Sequence, residues 1–119
     1  MTPFGHLLQT FRRAKGLQQT QIALGAEVSS GYYSLIESGK KPPPSKKVLE
    51  KILVELSLDE DETSAFWHSV KQSKQNYCVP ENASLHEYEL VSLIWDRLGS
   101  ITQDQAKSMS LFLKMKSEI

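Results

Sequence analysis

Along this chain apolar residues recur at intervals of three and four, and no segment alternates apolar with polar residues over more than a few positions. That periodicity builds helices with one buried face and leaves no material for a sheet. Start and stop signals divide it into seven blocks. Thr2 is a good N-cap and Pro3 is pre-set in φ for the first helical position, so a helix opens there with Phe4, Leu7, Leu8 and Phe11 on one face. Gly16 ends it. A second helix is expected from about Gln19 to Ala26, with Ile22, Ala23 and Ala26 inward. Ser29 caps a third, from about Ser30 to Glu37, with Tyr33 and Ile36 inward and Gly39 closing it. Lys40-Lys41-Pro42-Pro43-Pro44 cannot be helical and reads as an extended connector. Ser45 then caps a fourth helix with the stripe Val48, Leu49, Ile52, Leu53 and Leu56. Asp59 opens a fifth, with negative charge in its first turn and with Phe66, Val70 and either Ala65 or Trp67 inward. After a loop over residues 76–83, two capping boxes follow. Ser84 with Glu87 starts a sixth helix (Leu85, Tyr88, Val91, Ile94, Trp95, Leu98). Thr102 with Gln105 starts a seventh (Ala106, Met109, Phe112, Leu113).

The overall charge is balanced, 14 basic against 14 acidic side chains, but the two halves are not. Residues 1–47 carry seven basic and two acidic groups, a net +5; the remaining 72 carry seven basic and twelve acidic, a net −5. A basic front half suits an anionic partner such as a phosphate backbone. The apolar runs are far shorter than the roughly 18 residues a membrane helix needs, and the start lacks the pattern of a signal peptide. Cys78 is the sole cysteine, so no internal disulfide forms and a reducing cytoplasm is the expected setting.

The second and third helices are joined by only Glu27-Val28-Ser29, the spacing of a helix-turn-helix unit. The run Leu17-Gln18-Gln19-Thr20-Gln21-Ile22-Ala23, through Val28-Ser29 and Tyr33 to Ile36-Glu37-Ser38-Gly39, resembles the Xre-like helix-turn-helix family of phage repressors and Cro proteins. The resemblance covers about residues 4–58, with its motif at about 18–38. It implies a five-helix repressor-like helix-turn-helix domain over residues 1–75; with the sixth and seventh helices read above as a C-terminal two-helix hairpin over 76–119, the fold is all-α. It also implies double-stranded DNA as partner, a symmetric dimer on a palindromic operator, and repression of a nearby promoter. Gln19, opening helix 2, would hold a phosphate. Base reading would fall to Ser29, Ser30, Gly31, Tyr32, Ser34 and Leu35 on helix 3, with phosphate contacts from Lys40 and Lys41. None of these is an Arg, Gln or Asn on helix 3 able to grip a base bidentately, while Tyr32 and Leu35 suit a thymine methyl. Direct readout is therefore expected to be modest, with DNA shape contributing. Arg12 and Glu37 match positions that form an ion pair between helices 1 and 3 in the family. Two positions depart from its pattern. Glu27 stands where the turn usually has Gly, and Gln18 is a poor N-cap.

The last two helices carry Tyr88, Ile94, Trp95, Met109, Phe112 and Leu113, more apolar surface than a lone hairpin can bury. Dimerisation is the expected use, with binding of a different protein, packing on the chain's own front domain or ligand sensing as alternatives. Catalysis is not expected. His6, His68 and His86 share no metal-ligand spacing with Cys78, and the acidic run Asp59–Glu62 lacks the alternating ligands and glycine of a calcium loop. No cofactor is implied. The reading is thus a cytoplasmic, non-enzymatic, DNA-binding repressor. The alternatives are an antitoxin-like regulator whose C-terminal half binds a protein, and a helical interaction module that does not read DNA.

Overall fold

The computed structural model describes residues 1–74 and 76–115. Among them lie seven helices and no strand: α1 (Pro3–Ala14), α2 (Gln19–Gly25), α3 (Ser30–Ser38), α4 (Lys46–Leu56), α5 (Glu60–Gln72), α6 (Leu85–Arg97) and α7 (Gln103–Lys114). The chain divides into two compact units, Met1–Tyr77 and Cys78–Ile119. The predicted boundary residue 75 lies outside the described residues, as do the last four positions of the chain.

In the first unit the helix ends follow local chemistry. The Thr2 hydroxyl accepts from the Gly5 N–H at 3.0 Å, and Asp59 and Glu62 cap each other's backbone at 2.8 and 3.1 Å. Ser45 occupies the N-cap of α4 but makes no capping hydrogen bond. Three helices end in the same hydrogen-bonded turn, in which two successive N–H groups fold back onto carbonyls of the last turn. Gly16 (φ 70°) and Gly39 (φ 83°) supply the left-handed residue for α1 and α3, but α2 uses Glu27 at φ 60°. The family-like turn is therefore made with a residue that disfavours it, and the carboxylate of Glu27 is tied to Lys51 on α4. Gln18 is likewise compensated: its N–H donates to the side chain of Gln21 at 2.7 Å.

One core joins α1 to α5. Phe4, Leu8, Ile22, Ala23, Ala26, Tyr33, Ile36, Leu49, Ile52, Leu56 and Phe66 are buried. Leu7, Phe11, Val48, Leu53, Val70 and Trp67 pack around them half-buried, while Ala65 is exposed. The choice between Ala65 and Trp67 goes to the indole, which stacks edge-on against Phe66 with ring centres 5.3 Å apart. α1 packs on α3 and α5; α2 packs on α3 and α4. Gly5 lets α1 approach the end of α3, because a Cβ there would collide with the carbonyl oxygens of Ile36 and Glu37. Phe4 meets Phe66 edge-to-face at 5.2 Å, and its N–H donates to the buried Ser73 hydroxyl at 2.8 Å.

In the second unit both capping boxes form: Ser84 N–H to Glu87 at 2.9 Å, and Thr102 N–H to Gln105 at 3.0 Å. Neither α6 nor α7 buries a residue. An open apolar cleft of about 540 Å³ lies between them. Of the stripe predicted for α6 only Ile94 lines this cleft, together with Leu90 and Leu93. α6 is apolar on two faces, so periodicity alone does not decide which one meets α7. On α7 the predicted Met109 lines it, and Ala106, Met109, Phe112 and Leu113 line a second open pocket of about 420 Å³ shared with Leu90 and Ile94.

Candidate nucleic-acid interface

α3 is presented by an ion-pair clamp behind it. Glu37, on its inner face, is 1% exposed. Arg12 reaches it from α1, with Nη2 2.8 Å from Oε1 and Nε 3.0 Å from Oε2, while Nη1 donates to the Leu17 carbonyl at 3.0 Å. One guanidinium thus joins α1, the segment leading into α2, and α3. The hydrogen bond to Glu37 favours the charged guanidinium more than burial disfavours it. Tyr33 lies beside this pair. Burial pushes its phenol well above its usual range and the Glu37 charge adds to the effect, so the group stays neutral. The hydroxyl has no hydrogen-bond partner among the described residues.

With Tyr33, Ile36 and Glu37 turned inward, the other face of α3 is free. Ser29, Ser30 and Gly31 are exposed, Tyr32 and Ser34 half-buried, and Leu35 is 37% exposed. The Ser29 hydroxyl accepts from the Tyr32 N–H at 3.1 Å, which leaves its own proton available to a partner. Tyr32 has part of its ring packed on the core, so it is held in place rather than free to swing. At the far end, the N–H groups of Lys40 and Lys41 both donate to the Leu35 carbonyl, at 2.9 and 3.2 Å. That anchors both lysine backbones directly past α3 and leaves the side chains exposed. Gln19 sits half-buried at the start of α2, the helix that packs on α3. The residues singled out in α2, α3 and the turn after α3 therefore belong to one helix-turn-helix unit.

Lys46 and Lys47, exposed at the start of α4, extend the positive charge beyond Lys41. None of these four lysines is in an ion pair among the described residues. The charge run over residues 40–47 is the signal from which their grouping is legible.

A known domain family, described as a helix-turn-helix domain, matches residues 3–66. The chain belongs to this helix-turn-helix family. The matched span runs from the first residue of α1 to Phe66, the α5 residue that closes the core against Phe4. The helix-turn-helix chain is also similar to a Bacillus subtilis (strain 168) protein named as an uncharacterized HTH-type transcriptional regulator, RghRB. The two are 29% identical over 84 residues. That alignment covers 65% of this chain and 60% of the relative, so less than two thirds of the relative's length is spanned. No solved structure matches. Among the described residues, no helix is long and apolar enough to cross a membrane and no cluster of His, Cys, Asp or Glu is suited to hold a metal ion.

Proposed function

We propose that this protein is a sequence-specific DNA-binding transcriptional regulator that acts as a repressor, with α3 lying in the major groove. The observation that carries the reading is the outer face of α3. It is unoccupied by the rest of its unit, backed by a buried ion pair, and followed at once by two anchored lysines. A helix exposed at its N-terminal half and flanked by cations is what groove entry requires. Ser29, Ser30, Gly31, Tyr32, Ser34 and Leu35 meet base edges in this reading, and Gln19, Lys40 and Lys41 meet phosphates. The relative's designation as a transcriptional regulator supports the same reading.

The protein acts as a homodimer in this proposal, because one α3 reads only a half-site. The dimer forms through α6 and α7, with Tyr88, Ile94, Trp95, Met109, Phe112 and Leu113 contributing. Two helices that bury no residue of their own need a cover, and a second copy supplies the same apolar surface in symmetric form. Repression follows when the occupied operator overlaps a polymerase site. A partner-binding C-terminal half is the alternative favoured by the same open cleft.

The test is selection of bound duplexes from a random DNA library at near-physiological salt. The expected result is an enriched palindrome whose half-site spacing is about one helical turn or a multiple of it. Enrichment of nothing, with or without weak binding, refutes the sequence-specific reading. Enrichment of a single half-site refutes the dimer.

A further inference from the structure

Gly31 has no reason within the chain to be glycine. It lies in the first turn of α3 with ordinary right-handed helical backbone, since it is absent from the positive-φ glycines. A Cβ built on it meets nothing within 4 Å. Glycine is a poor helix former, so the sequence carries a residue that neither conformation nor packing requires. Leu35 lies four residues on, on the same face, and is 37% exposed. The outer face of α3 therefore bears a notch in its row of side chains at Gly31, where nothing comes within 4 Å of the Cβ position, with Ser34 and Leu35 one turn further on.

We infer that this notch receives the C5-methyl group of a thymine in the major groove. Among base edges exposed there, only thymine offers an apolar knob, and it is one methyl in size. Ser30 and Ser34 flank the position with hydroxyls that bond to neighbouring base atoms of either polarity. Specificity then arises from steric fit at a missing side chain rather than from a bidentate side-chain contact. The inference rests on the DNA-binding reading above.

The experiment pairs a protein change with a DNA change, using the full chain and the duplex that it selects. Each thymine of the half-site is replaced singly by deoxyuridine, which removes only the methyl group. Wild-type protein is expected to lose about fourfold in affinity at one position, the value of one buried methyl group. Gly31→Ala, folded with a thermal midpoint no lower than wild type, is expected to lose tenfold or more on the thymine duplex. It should be indifferent to the uridine change at that same position. Two results overturn the notch while leaving DNA recognition intact: wild-type binding insensitive to every uridine, or Gly31→Ala binding as tightly as wild type. Selection of a half-site without thymine overturns it too. Failure of the wild type to bind any duplex is distinguishable, because it removes the functional reading and this inference together.

Discussion

Arg12 is held at three points, by both oxygens of Glu37 and by the Leu17 carbonyl, and each partner belongs to a different stretch of the chain. Its side chain is 13% exposed and that of Glu37 is 2%, so the two members are not equivalent. Arg12→Ala leaves a carboxylate buried without a counter-charge, whereas Glu37→Ala leaves an arginine that keeps the Leu17 bond and some water. We expect Arg12→Ala to lower stability by about 3 kcal/mol or more and Glu37→Ala by less, read from urea unfolding midpoints. Equal losses would mean that Glu37 is better hydrated than its burial indicates. Tyr33 makes the opposite case. Its buried hydroxyl has no hydrogen-bond partner among the described residues, and such a group carries a penalty of about 1–3 kcal/mol. Tyr33→Phe is therefore expected to raise the unfolding free energy, by about 1 kcal/mol; a fall of that size would show that the hydroxyl bonds to the Glu37 carboxylate.

At the scale of elements, the helices are joined by a few polar ties that no periodicity reveals. The N–H of Phe4 is one of the free donors at the start of α1, and it finds Ser73 just past α5, whose own hydroxyl donates to the Ser69 carbonyl at 2.7 Å. Ser73→Ala is expected to destabilise the first unit by about 1–2 kcal/mol through the stranded donor, with faster amide exchange at Phe4 as its local signature. The start of α6 is governed differently. The Ser84 backbone N–H holds the Glu87 carboxylate below its ordinary range, and the Ser84 hydroxyl adds to this. A carboxylate whose folded pKa is depressed stabilises the fold above its unfolded pKa, and that contribution is lost as pH falls through the folded value. Amide exchange over the first turn of α6 should therefore rise as pH is lowered through and below the ordinary carboxylate range, after correction for intrinsic rates. A carbon-detected NMR titration of Glu87 should give a midpoint below 4.5, its unperturbed value. A midpoint at or above that value would mean the capping box does not persist in solution.

Among the described residues, one unit of the molecule has a core and the other has none. Residues Met1–Tyr77 contain every buried apolar side chain of the core, while the helices of Cys78–Ile119 bury none. A unit of that size with an open apolar cleft is short of the burial that sustains an independent fold. Deleting residues 84–119 is expected to yield a monomer by light scattering that keeps the near-ultraviolet signature of the first unit and loses operator affinity by a large factor. A truncated protein that remains dimeric would move the interface onto the first unit.

Much of the fold was legible because helix boundaries are local events. Thr2, Asp59, Ser84 and Thr102 declare helix starts by side chains that reach the backbone within three residues, and Gly16 and Gly39 declare ends by φ alone. The helix-turn-helix spacing and the candidate residues Ser29 to Leu35 follow from the same short-range grammar. The remainder depends on contacts between residues far apart in the chain. Periodicity admits two apolar faces on α6, and only packing against α7 selects Leu90, Leu93 and Ile94 for the cleft. Glu27 looks unsuited to its turn, yet it adopts φ 60° with its carboxylate tied to Lys51 on another helix. Ser73 reads as an ordinary helix-end serine until Phe4 arrives against it, and the burial of the Tyr33 hydroxyl with no partner among the described residues is a property of the packed core alone. Sequence determined where each helix begins, ends and turns its apolar side, because those choices are settled within a few residues. Which polar groups meet, and which face of a two-faced helix is covered, only the tertiary structure decided, because those choices are settled by whatever the docked neighbour presents.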